Sequence, residues 1–232
     1  MKKLISLTIL AAAATAGAQT LNSVTTAVTN TITRNNIELG LTGGYAGGLS
    51  GEVFVHAPNV IGPVGVKVGV AYTRPRDSIN DSSTNVLGSF ADAKKPISEG
   101  GLGASEYGSQ TVISVDGTYG LGEVAPGIDT MVYGGARYGM FKGTEDYGTS
   151  GGSTTYSSNS FGLGAGAMAS YALTGNLSLV GDLGADYFFK STINTSKGDS
   201  IPTADGSYST FDNRFVRPGT NFKARLGVKY MF

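Results

Sequence analysis

The chain has 232 residues, with 17 Lys and Arg against 17 Asp and Glu and a single histidine. That balance excludes the basic footprint of a nucleic-acid binder, and the absence of cysteine excludes disulfide stapling and thiolate chemistry. Glycine is high at 36 but has no Gly-x-y period, which excludes collagen.

The chain opens Met1-Lys2-Lys3, runs through apolar residues from Leu4 to Ala14, and reaches Ala16-Gly17-Ala18. A basic start, a short apolar stretch and small residues at a cleavage site predict a secretory signal over 1–18. Residues 19–35 are expected to form a periplasmic N-terminal segment. Leu21, Val24, Val28 and Ile32 recur at helical spacing, while the many threonines favour a flexible tail, so both states stay open. No later apolar run approaches the roughly 18 residues that a membrane-spanning helix needs.

From residue 36 onward the periodicity changes to two. Ile37, Leu39 and Leu41 oppose Glu38, Gly40 and Thr42; then Leu49, Val53 and Val55 oppose Ser50, Glu52 and Phe54. In the third segment Val64, Val66, Val68, Val70 and Tyr72 share one face, with Lys67 on the other. A fourth segment spans 110–121, and a fifth, sixth and seventh follow from Thr130, Phe161 and Leu177. The eighth is Phe222 to Phe232, where Phe222, Ala224, Leu226, Val228, Tyr230 and Phe232 alternate with Lys223, Arg225, Gly227 and Lys229. Segments of this length exceed the usual strand of about five or six residues and match the roughly 9–11 of a tilted membrane strand.

The connections are uneven. Residues 57–63, 122–127 and 174–176 are short and rich in Pro, Gly and Asn, whereas 75–109 and 190–220 are long and polar and 142–160 is intermediate. Tyr208 to Arg217 alternates imperfectly and is too polar to add a lipid-facing strand, although a rim strand above the membrane stays open. The fold predicted for 36–232 is therefore all-β: a closed antiparallel eight-stranded transmembrane β-barrel with short periplasmic turns and long extracellular loops. In hydrocarbon an unpaired sheet edge costs several kcal/mol per group, so the eighth segment must pair with the first.

Aliphatic residues dominate one face, and its aromatics sit near the segment ends, as interfacial girdles require. The other face carries Glu38, Glu52, Lys67, Asp116, Arg137, Asp182, Asp186, Lys223, Arg225 and Lys229. An eight-stranded barrel has room inside for little beyond side chains. Confined charges must be paired, so these ten are expected to form a lumen charge network, with Asp182 and Asp186 as partners of lumen bases.

No catalytic residue, cofactor or metal is expected. His56 reads as a rim or turn residue beside Pro58, without a second histidine or a cysteine to share a transition metal. The glycines of 40–48 lack the Gly-Lys-Ser/Thr ending of a phosphate loop. Asp77, Asp81, Glu145, Asp146, Asp205 and Asp212 lack calcium-loop spacing and read as solvated loop carboxylates.

In the alternation of 36–232, and most specifically in Phe222 to Phe232, the sequence resembles the small bacterial outer-membrane barrels of the OmpA-transmembrane, OmpX and opacity-protein type. The resemblance implies that Val228, Tyr230 and Phe232 form a signal read by the barrel-assembly machinery. It also implies residence in the cell outer membrane among its lipids. Surface or envelope protein partners are expected through loops 75–109, 142–160 and 190–220. The expected role is a largely filled barrel anchoring surface loops for envelope integrity or surface interaction; a narrow porin-like channel for ions or small solutes is the alternative.

Overall fold

Eight long strands hydrogen-bond in sequence order and close on themselves. The computed structural model describes residues 37–85, 88–148 and 151–232; the signal and N-terminal segment expected over 1–35 lie outside them. The barrel strands are β1 (Glu38–Ala46), β2 (Gly48–Ile61), β3 (Val64–Pro75), β4 (Ser105–Ala125), β5 (Ile128–Asp146), β6 (Ser153–Ala172), β7 (Leu177–Phe188) and β8 (Thr220–Met231). Every neighbouring pair is antiparallel, and β8 closes on β1 with Leu41 opposite Val228. Closure leaves the spanning ladder no free edge, which is what lets a sheet sit in hydrocarbon.

Alternation sorts the side chains. Leu49 (78% exposed), Phe161 (71%) and Leu226 (70%) stand on the outer wall, together with the valines of β3. So large an exposed apolar surface marks a face that meets lipid rather than water. Aromatic pairs border it: Tyr138 with Phe161, Tyr187 with Phe189, and Tyr230 with Phe232, at centroid separations of 5.1, 5.4 and 5.0 Å.

The strands are not equally tall. β1, β3, β7 and β8 have 9, 12, 12 and 12 residues, whereas β4, β5 and β6 have 21, 19 and 20. A span needs only about 9–11, so β4–β6 rise as a wall beyond one rim. Much of the expected 142–160 loop is consequently strand: Ser157 pairs with Lys142 and Ser153 with Asp146. The sequence hid this because Ser, Thr and Tyr above the membrane carry no lipid-facing alternation. Ile193–Thr195 adds to the wall beside β6, and Ser200–Ile201 pairs with it.

At the opposite rim the turns are tighter than expected. β2 runs to Ile61 through an irregularity between Ala57 and Ile61, leaving Gly62-Pro63 as the turn. β4 runs to Ala125 with two register shifts. On the tall side, residues 76–85, 88–104 and 189–219 fold inward. They contribute helix α1 (Phe90–Lys94), a 3-10 turn (Ile97–Glu99) and helix α2 (Tyr208–Arg214). Within 208–217 the chain is helical to Arg214, and Phe215 then bridges Ile79; Tyr208, Phe211 and Phe215 recur at three to four residues and pack into one cluster with Ile79, Phe141 and Phe188. That cluster caps the barrel at its long-loop rim.

Candidate functional site

Seven of the eight strands, all but β6, place charged side chains on their inward faces, as a belt. Nine of the ten expected lumen residues are buried, and Lys229 is partly so. Inward placement follows from parity: Glu52 and Phe54 alternate with the lipid-facing valines of β2, and Lys223 and Arg225 with Phe222 and Leu226.

Arg137 lies at the centre, donating from Nη1 to Asp116 Oδ1 at 2.6 Å and from Nε to Asp186 Oδ1 at 2.7 Å. Asp186 also accepts from Lys223 Nζ at 3.2 Å. Across the lumen, Glu52 accepts from Lys67 at 2.7 Å and from Arg225 Nη1, while Arg225 Nη2 reaches Ser50 Oγ at 2.8 Å. Charge-assisted pairs of this kind repay desolvation only when the geometry is good and the remaining lone pairs are met.

Tyr133 joins the two halves. Its hydroxyl donates to Asp182 Oδ1 at 2.5 Å, and Lys67 and Lys223 lie 5.1 and 5.2 Å from its ring centroid. Lys67 also sits 4.9 Å from the Phe54 ring. These separations fall within the roughly 6 Å of cation–π attraction. Two glycines make room for the large side chains. A Cβ at Gly40 would strike the Phe54 ring, and one at Gly164 would strike Arg137 and Asp186.

A second, smaller group lies toward the short-turn rim. Glu38 bonds His56 Nδ1 at 2.7 Å through one oxygen and accepts from Lys229 at 2.8 Å through the other. His56 Nε2 is 3.0 Å from Thr118 Oγ1. These residues line a mouth of about 410 Å³, which also includes Met131 and Met168. Met131, Met168, Phe54, Tyr133 and Val180 form one buried cluster, so apolar side chains contact one another between mouth and belt.

The architecture is also that of known proteins. No protein-family model matches the chain. The comparison with curated proteins gives no match either. Among solved structures, a major outer membrane protein from Thermus thermophilus is 29% identical over 85% of this chain and 98% of that one, with a TM-score of 0.74. This is an eight-stranded outer-membrane β-barrel protein. The N-terminal β-barrel domain of Pseudomonas aeruginosa OprF (15% identity, 86% of this chain and 98% of that chain, TM-score 0.45) is more distantly similar. The same holds for Neisserial surface protein A (15%, 85% and 95%, TM-score 0.41).

Within the barrel, several positions differ from the reading of the sequence. His56 is not a turn residue: because β2 continues to Ile61, it lies inside the ladder at the short-turn mouth, inward and 4% exposed. Asp182 has a tyrosine, not a base, as its hydrogen-bond partner. Glu145 is not a solvated loop carboxylate, since it is buried on β5 and held by Arg214 at 2.7 Å and Tyr156 at 2.8 Å. Tyr133 went unmarked because aromatics face either way in a barrel; its place on the same parity as Arg137 was the available signal. Val228, Tyr230 and Phe232 stand on the outer face, and the Phe232 N–H donates to the Ile37 carbonyl at 3.0 Å.

Proposed function

We propose that the barrel is a filled, non-conducting anchor that holds its long-loop rim outside the cell, for envelope integrity or surface interaction. The observation that carries this reading is the vertical order of the lumen. A mouth ends on Met131 and Met168, a belt of mutually bonded charges follows, and the aromatic cap closes the far rim with Phe141 and Phe188, 4.9 Å apart. A hydrated ion crossing that order would have to separate bonded charge pairs and displace packed aromatic side chains. Both steps cost several kcal/mol.

The cap also supports a role at the surface. Glu106 Oε2 accepts the Ser78 and Ile79 N–H groups, both at 2.7 Å, and Lys94 bridges Asp81 and Glu106 at 2.6 Å each. The loops are thus a formed surface, suited to recognition without an ordering cost. Partners from the surface or envelope would meet the segments 76–104, 147–152 and 189–219.

A narrow channel is the second reading. It is favoured by the 410 Å³ mouth and by buried polar atoms without a partner, Asp116 Oδ2, Asp182 Oδ2 and Arg137 Nη2, which would welcome water. Single-channel recording in a planar bilayer separates the two: silence supports the filled anchor, and reproducible steps overturn it.

A further inference from the structure

The long-loop rim holds a cavity that neither anchoring nor conduction uses. It measures about 590 Å³ and opens beside the upper hairpin of β5 and β6, next to Thr195 and helix α2. That volume lies within the range of small-molecule sites.

Its floor is built from Glu145, Thr154 and Tyr156, all buried. The Glu145 charge is already consumed. One oxygen accepts from Tyr156 at 2.8 Å, and the other accepts from Arg214 Nε at 2.9 Å and Nη2 at 2.7 Å. Arg214 is consumed as well, since Nη1 donates to the Thr84 carbonyl at 3.3 Å and Nη2 also donates to Tyr147 at 3.1 Å. Burial pushes the Tyr156 hydroxyl above its ordinary range, and its bond to Glu145 adds to the shift, so it stays a neutral donor. The floor is polar but carries no spare charge.

What is open is different in kind. The Thr154 hydroxyl has no hydrogen-bond partner among the described residues, although Thr154 is only 7% exposed. At the edge, Lys197 has no partner among them either, and Asp199 accepts from Thr195 through Oδ2, leaving Oδ1 open. Tyr147, Phe211 and Leu102 supply apolar wall. The cavity therefore offers one hydroxyl, one cation, one anion and aromatic surface, with charges that cancel.

We propose that this cavity binds a neutral saccharide. A sugar ring has an apolar C–H face for aromatic walls and hydroxyls that both donate and accept, which matches unpaired groups of both senses. At the edge Lys197 and Asp199 offset each other, so neither an anionic nor a cationic ligand meets a net opposite charge. The floor adds none, because Arg214 and Glu145 are bound to each other. The assignment rests on the reading that this rim faces outward, where glycans are met.

The test uses the full chain refolded in detergent. Arrays carrying neutral, uronic-acid, sulfated and amino-sugar oligosaccharides are probed with wild type, Thr154→Val and Lys197→Ala, each first checked for heat-dependent gel mobility as a sign of the folded barrel. Binding confined to neutral oligosaccharides and weakened roughly fivefold by loss of the Thr154 hydroxyl supports the proposal. Absence of binding, a preference for charged sugars, or binding indifferent to both variants overturns it. Placement is read separately. The chain has no cysteine, so Lys197→Cys can be labelled on intact cells with a membrane-impermeant maleimide. Labelling supports the outward placement. Its absence overturns the surface reading, whereas failure on the arrays overturns the saccharide and leaves that reading intact.

Discussion

The belt and the cap line the same tube with opposite chemistry. The belt buries charged side chains: Arg137, Lys67, Asp116 and Asp182 are each at most 2% exposed. The cap buries apolar ones: Ile79, Phe90, Phe141, Ile193 and Phe215 are equally hidden. The difference follows from what each had to satisfy. Inside the spanning strands the outer face must be apolar for lipid, so the inner face is free to be polar, and confinement then forces its charges to pair. Above the membrane the loops fold in water, so their core forms by ordinary burial of apolar surface. A pair that loses one member leaves a buried charge without a partner, whereas a cap that loses a ring leaves a void that can partly collapse.

That contrast predicts an order of effects. Arg137→Ala should act most strongly, because Asp116 loses its charge partner and Asp186 keeps only Lys223. The expected cost is about 3–5 kcal/mol, read as a lowered urea midpoint for the folded band in detergent. Adding Asp116→Asn should restore part of it, and a midpoint unmoved by Arg137→Ala would break the distinction between belt and cap. Phe215→Ala should follow. Phe215 is 1% exposed and stacks on Tyr156 at 6.1 Å, so its loss should cost roughly 3 kcal/mol locally. Hydrogen exchange should quicken in 76–104 and 189–219 while the barrel midpoint stays put. The smallest effect is expected for Lys229→Ala. This amine lies at the mouth, its side chain 15% exposed, and Glu38 keeps His56 without it. A change of about 1 kcal/mol or less in the same midpoint is expected.

The two regions were also unequally legible in the sequence. Membrane strands declare themselves because lipid demands an apolar residue at every second position, so β3 and β8 could be read almost residue by residue. Their inward residues followed by parity alone. The cap gave no such signal. Tyr208, Phe211 and Phe215 carry helical spacing, but within a short polar stretch that also admits a period of two, and their partners Ile79 and Phe141 lie far away in the chain. The tall wall of β4–β6 was missed for the same reason: Ser153 to Ser160 pairs as strand without any face that must be greasy. His56 was misplaced by proline. Pro58 and Pro63 suggested a turn starting at once, whereas β2 accommodates the first through a local register shift and turns only at Gly62-Pro63.

In the proposed anchor the belt, and not the cap alone, closes the tube. Planar-bilayer recordings of the wild type beside Phe215→Ala test this directly, since the second protein loosens the cap and leaves every belt pair in place. Neither protein should give unitary steps. Reproducible steps from the wild type would contradict the filled lumen, and steps from Phe215→Ala alone would show that the cap had been the only barrier.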